Sequence, residues 1–117
     1  MAIKSVLGKV FASFVVKGIN GWKFNAVRAQ ERTLQKLIAQ ASHTVFGVDH
    51  RFSEIKNYED FKARVPVRDY EDLRPYIDRV VEGEADILWK GKPLYFAKTS
   101  GTTSGVKYIP LSKESTP

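Results

Sequence analysis

Lys98-Thr99-Ser100-Gly101-Thr102-Thr103-Ser104-Gly105-Val106-Lys107 places five hydroxyl side chains, two glycines and two lysines in ten residues. Glycines let backbone N–H groups converge on an anion, hydroxyls donate further hydrogen bonds, and a lysine supplies the compensating charge. A polyphosphate satisfies all three demands. The stretch is not a P-loop: that motif keeps four residues between its glycines and follows the second with Lys-Ser/Thr. Here Gly101 and Gly105 enclose three residues and Val106 intervenes. A P-loop also opens a helix, whereas this stretch runs into the apolar segment Val106-Lys107-Tyr108-Ile109. The dinucleotide fingerprint fails for want of a G-x-G pair. A polar hairpin turn is the plain alternative, because turns are rich in Gly, Ser and Thr.

Upstream of the loop the pattern is strand-like: Ile87-Leu88-Trp89, a turn at Lys90–Pro93, then Leu94-Tyr95-Phe96-Ala97. Before residue 87 the periodicity is helical. Ile3, Val6, Leu7, Val10, Phe11, Phe14 and Val15 fall on one stripe of an amphipathic helix, with a break expected at Gly18–Gly21. Its flanking lysines are few, so packing on the following helix is expected rather than binding to lipid. A second helix is predicted from Asn25 to Phe46, with Val27, Leu34, Leu37, Ile38, Ala41 and Val45 inward and Gly47 as its terminator. Asn57 and Asp69 read as caps of two shorter helices, separated by an extended Val65-Pro66-Val67. Pro75 is expected to restart the last of these as a first-turn residue, with Tyr76, Ile77, Val80 and Val81 on the apolar face up to Gly83. Glu71, Asp72, Asp78 and Glu82 read as solvated helix charges rather than a catalytic carboxylate pair.

Composition narrows the classes. The 117 residues include no cysteine, which removes disulfide scaffolds and thiolate chemistry and fits a reducing, cytoplasmic setting. Neither His43 nor His50 has a second ligand at metal spacing, so no metal site is assigned. The net charge of +6 lies wholly in residues 1–40, where seven Lys or Arg face one acid, Glu31; the remainder holds twelve of each sign. Those basic residues are spread over helical patterns without interleaved exposed aromatics, which argues against nucleic acid as a partner. Lys4, Lys9 and Lys17 interrupt the first apolar segment, so no membrane span is predicted and no membrane partner is assigned.

Thr99–Lys107 resembles the phosphate-loop motif of the adenylate-forming superfamily, which contains acyl-CoA synthetases, luciferases and peptide-synthetase adenylation domains. Phe61-Lys-Ala-Arg-Val-Pro66, Tyr70-Glu-Asp-Leu-Arg-Pro-Tyr-Ile77, Phe96–Thr103 and Lys107-Tyr-Ile-Pro110 narrow the match. Together they resemble the auxin-responsive acyl acid amido synthetase family, in particular a bacterial-type member represented by its N-terminal fragment. The resemblance implies ATP with Mg²⁺ as cofactors, and a small-molecule carboxylic acid and an amino acid as substrates. It also implies two steps: adenylation of the acid with release of pyrophosphate, then attack by the amino acid's amine to form an amide. By position, Ser100, Gly101, Thr102 and Thr103 match the phosphate-contacting part, Thr99 and Ser104 frame it, and Gly105 and Lys107 close it. Thr102 and Lys107 are the residues to which the resemblance gives a catalytic role. Preorganised donors at such a loop stabilise charge that develops on the leaving pyrophosphate.

The expected fold is α/β: N-terminal helices followed by the first strands of the large N-terminal domain of an acyl-adenylate-forming enzyme, incomplete here. Residues 1–86 are expected to be mainly helical, and 87–117 to form the strands flanking the loop, the truncated start of the adenylation domain. Ser112 reads as the cap of a further helix that Pro117 cuts short. The segments that hold adenine, ribose, acyl group and metal lie downstream in the family, so the rest of the polypeptide is an expected partner and the fragment alone is expected to be inactive. A CoA-dependent relative shares the loop and is the nearest alternative. A non-catalytic anion-binding or interaction module is the alternative of another class.

Overall fold

The computed structural model describes residues 2–102 and 105–117, which form two compact units, one through Thr33 and one spanning Leu34–Pro117. The first holds α1 (Ala2–Phe24) and the opening of α2 (Ala26–Ala41). The break expected at Gly18–Gly21 does not occur: α1 runs through both glycines to Phe24. An interior glycine costs only about 1 kcal/mol, which so long a helix absorbs. Asn25 alone separates the two helices, too little chain for an αα-hairpin, whose loop takes about 2–5 residues. The expected packing of the stripe on the following helix is therefore not found. Every described side chain from Ile3 to Thr33 is exposed.

In the second unit the core forms where α2 ends. Ile38, Ala41, Phe52 and Ile55 are buried together, with Leu34, Phe46, Phe61, Val65 and Trp89 packed around them. Val27 and Leu37, expected on the same face, are exposed. The helix also stops earlier than predicted, at Ala41. Thr44, only 1% exposed, starts a separate helix α3 (Val45–Asp49): its Oγ1 accepts the Gly47 N–H at 3.0 Å and donates to the Ala41 carbonyl at 2.7 Å. Gly47 therefore terminates nothing. It lies buried inside α3, where a Cβ would stand 2.0 Å from the Ala41 carbonyl oxygen, so glycine is required for space.

Both short helices begin where their caps predict. Asn57 Oδ1 accepts the Asp60 N–H at the start of α4 (Tyr58–Arg64). Asp69 and Asp72 form a reciprocal capping box at the start of α5 (Tyr70–Val81), satisfying two backbone donors at once. Pro75 does not restart a helix; it lies inside α5. The lost N–H at that point is offset by an unbroken inward face carrying Leu73, Ile77 and Val80. α5 ends in a Schellman pattern, Gly83 N–H to Val80 and Glu84 N–H to Arg79, reinforced by a bidentate Arg79–Glu84 pair. Glu71, Asp72, Asp78 and Glu82 are exposed, as read from the sequence, and the first and third pair with Arg74.

α3 and α5 are joined by aromatic and polar contacts. Phe46 stacks on His50 at 4.0 Å and meets the Tyr76 ring edge-on at 5.1 Å. The Tyr76 hydroxyl donates to Asp49 Oδ2 at 2.7 Å, and burial followed by that carboxylate push the phenol above its ordinary range. His50 Nδ1 donates to the Phe46 carbonyl, leaving Nε2 to accept from Arg68 at 3.1 Å.

The apolar run Ile87-Leu88-Trp89 is not a strand. Its backbone bends through 85–91, closed by Asp86, whose carboxylate accepts the Gly91 N–H and whose N–H reaches the Gly91 carbonyl. The carbonyls of Asp86 and Ile87 instead accept the Val45 and Phe46 N–H groups, satisfying orphan donors of α3. Ile87 is 2% exposed, so the run is buried by capping a helix rather than by joining a sheet. The sheet has two antiparallel strands, β1 (Tyr95–Lys98) and β2 (Tyr108–Leu111), in register Tyr95↔Leu111 to Lys98↔Tyr108. β2 starts two residues later than read from the sequence. The described fold is thus mostly helical with a small antiparallel sheet, consistent with the α/β class expected from the sequence.

Candidate functional site

The loop of interest joins β1 to β2, and two bonds close its neck. The Thr99 N–H donates to the Lys107 carbonyl at 3.0 Å, and the Lys107 N–H donates to Thr99 Oγ1 at 3.0 Å. Thr99, expected to frame the site, and Lys107, expected to close it, are thus brought together; the threonine hydroxyl serves as part of the clasp. Lys98 pairs with Tyr108 in the strand register.

Inside the neck the chain turns sharply. Gly101 has φ +71° and Gly105 φ +80°, conformations that L side chains rarely adopt. At Gly101 a Cβ would also stand 3.1 Å from the Gly105 carbonyl carbon and from Val106, so the two sides of the loop approach closely there. Ser100 and Thr102 are exposed. Thr103 and Ser104, which the sequence also assigns to phosphate contact, lie outside the described residues. Among the described residues, the N–H groups of Ser100, Gly101 and Thr102 make no backbone hydrogen bond. Nor do the ion pairs of the described residues involve Lys98 or Lys107. The loop combines donors and positive charge without an internal acid to satisfy them, an arrangement suited to an anion.

One residue at this site was not singled out from sequence. Tyr70, read from the sequence as the start of a capped helix and of the Tyr70–Ile77 family segment but given no role at the loop, reaches the exit strand: its hydroxyl accepts the Tyr108 N–H at 2.8 Å. The Lys107 ammonium lies 5.5 Å from the centre of its ring. The signal that could have found it is an aromatic residue held at the first position of a helix by a capping box, where its direction is fixed. A separate cavity of about 250 Å³, lined by Val80, Ile87, Trp89, Pro93 and Pro110 among others, includes no residue of the loop. No cluster of three or more His, Cys, Asp or Glu at metal distance occurs among the described residues. No helix among them is long and apolar enough to cross a membrane.

Comparison with known proteins places these features in a group. Residues 16–117 match the model of the GH3 family N-terminal domain. A probable indole-3-acetic acid-amido synthetase, GH3.2 of Oryza sativa subsp. japonica, is 39% identical over 87 residues, covering 74% of this chain and 14% of the relative. Jasmonoyl-L-amino acid synthetase JAR4 of Nicotiana attenuata is 32% identical over 92 residues, 77% of this chain and 16% of the relative. JAR6 of the same species is 29% identical over 120 residues, 97% of this chain and 20% of the relative. The chain thus spans at most a fifth of the length of these curated relatives.

Proposed function

The chain belongs to the GH3 family, and on that premise we propose that it is the N-terminal part of an ATP-dependent acid–amino acid ligase, contributing the loop that grips the phosphates of ATP. The observation that carries this reading is the loop closed by Thr99 and Lys107, in which, among the described residues, the Ser100–Thr102 N–H groups make no backbone hydrogen bond and Lys107 joins no ion pair. In the proposed first step an acid's carboxylate oxygen attacks the α-phosphorus, and the bond to the bridging oxygen of pyrophosphate breaks. Negative charge moves onto the leaving group, where the N–H groups, the hydroxyls of Ser100 and Thr102, and the Lys107 ammonium hold it. Mg²⁺, when bound with ATP, would neutralise further phosphate charge. In the second step an amino acid's amine displaces AMP. The choice of an amine acceptor follows the names of the relatives, all amido or amino acid synthetases.

On this reading the chain alone is a weak binder. About three or four charge-assisted hydrogen bonds of roughly 1.5–3 kcal/mol each must offset at least about 4 kcal/mol of association entropy plus loop ordering. The balance is about millimolar affinity at best. The test is ATP–pyrophosphate exchange with a panel of carboxylic acids, on the longest native polypeptide that contains this sequence and on residues 1–117 alone. Acid-dependent exchange by the longer form is expected; a folded longer form that exchanges with no acid would remove the adenylation reading.

A further inference from the structure

We infer that Tyr70 is a positioning residue for Lys107, an inference that rests on the phosphate-gripping role proposed for the loop. Three observations converge on it. The Tyr70 hydroxyl accepts the N–H of Tyr108, the residue next to Lys107, at 2.8 Å. Its ring faces the Lys107 ammonium at 5.5 Å, within the range over which an aromatic face attracts a cation. Its own backbone is fixed, because Asp69 and Asp72 cap α5 immediately around it.

The choice of an aromatic face over a carboxylate has a chemical consequence. A carboxylate beside Lys107 would neutralise the ammonium, occupy its donors and repel a phosphate. The face of Tyr70 attracts the same cation through its quadrupole while carrying no net charge and accepting no conventional hydrogen bond, so the donors stay available to an anion. Lys107 is held at both ends: its backbone is bonded to Thr99 on one side of the loop, and its side chain rests on α5. The hydroxyl of Tyr70 sets where β2 begins, and the ring sets where the charge points. This ties the loop to the helical scaffold through a side chain 37 positions upstream of the lysine.

A double-mutant cycle separates positioning from general support. Tyr70→Leu, Lys107→Ala and the double variant are compared in acid-dependent ATP–pyrophosphate exchange, with Tyr70→Phe as the variant that keeps the ring. Tyr70→Leu is expected to lower kcat/KM for ATP about tenfold in the native background and less than about twofold beside Lys107→Ala, with Tyr70→Phe losing no more than about threefold. Equal losses in both backgrounds would overturn the inference and leave the adenylation reading intact. Absence of exchange in the unsubstituted protein would instead sink the adenylation reading, and this role with it. A readout independent of activity and of variant folding is the NMR shift of the Lys107 ε-methylene protons in the unsubstituted chain. An upfield ring-current displacement is expected, and random-coil positions would overturn the contact itself.

Discussion

The segment around α3 and the loop between β1 and β2 are stabilised in opposite ways. Around α3, order comes from burial: Thr44, Gly47, His50, Phe52 and Ile87 are all buried, and the carbonyls of a distant bend satisfy the helix N-terminus. β1 is exposed at every position, and the loop after it is held by the Thr99–Lys107 clasp, the strand register and Tyr70. The lesson is a division of labour: a packed scaffold provides a fixed helix start, and an exposed loop, closed by its own clasp and strand register, is tied to that scaffold through Tyr70. Substitutions in the first region should act on stability, and those in the second on anion binding.

The largest break in this contrast is expected from Gly47→Val. Its side chain would be driven into the Ala41 carbonyl, a clash with backbone that cannot rotate away, and the loss should be about 3 kcal/mol or more. Denaturant unfolding followed by circular dichroism measures it; a midpoint near that of the unsubstituted chain would refute the close approach. Next come Thr102→Ala and Lys107→Ala in the longest native polypeptide that contains this sequence. Each is expected to cut pyrophosphate exchange about tenfold or more, with the unfolding midpoint unchanged. Wild-type exchange in either would remove that residue from the proposed mechanism.

A smaller effect is expected from Asn57→Ala, which deletes the side-chain acceptor of the Asp60 N–H at the start of α4. The expected loss is about 1 kcal/mol, with ATP affinity untouched; an equal fall in affinity would erase the distinction between scaffold and loop. The smallest concerns Glu114. The hydrogen bond from Lys90 first, then a backbone bond, with a lesser contribution from Trp89, holds its carboxyl at about 2, below the ordinary 4.5. A depressed folded pKa means the stabilisation is fully present above about 4.5 and fades as pH falls toward 2. The Trp89 indole N–H resonance, which reports its bond to Glu114 at 3.3 Å, should therefore move within that window. A titration centred on 4.5 would show that the tie does not persist in solution.

What could be read from sequence was mostly what is encoded locally. The caps at Asn57 and Asp69, the extended Val65 before Pro66 and the glycine-rich turn each depend on residues within a few positions, and each has its counterpart in the structure. The misreadings share a different cause. Gly47 resembles a helix terminator until the Ala41 carbonyl is found against it. Ile87-Leu88-Trp89 resembles a strand until its carbonyls are found capping α3, some forty residues earlier in the chain. Gly18 and Gly21 are tolerated because helix propensity is a weak local preference. At the site, the motif identified the loop but not Tyr70, whose part depends on α5 meeting β2.

The central claim, that the loop grips phosphate on a scaffold that stays put, is tested most directly by titrating MgATP into the ¹⁵N-labelled 117-residue chain. Amide shifts concentrated at Ser100, Gly101, Thr102, Gly105, Lys107 and Tyr108, saturating in about the millimolar range, with residues 38–55 unmoved, are the expected result. An unmoved loop, or shifts centred on residues 38–55, would contradict it.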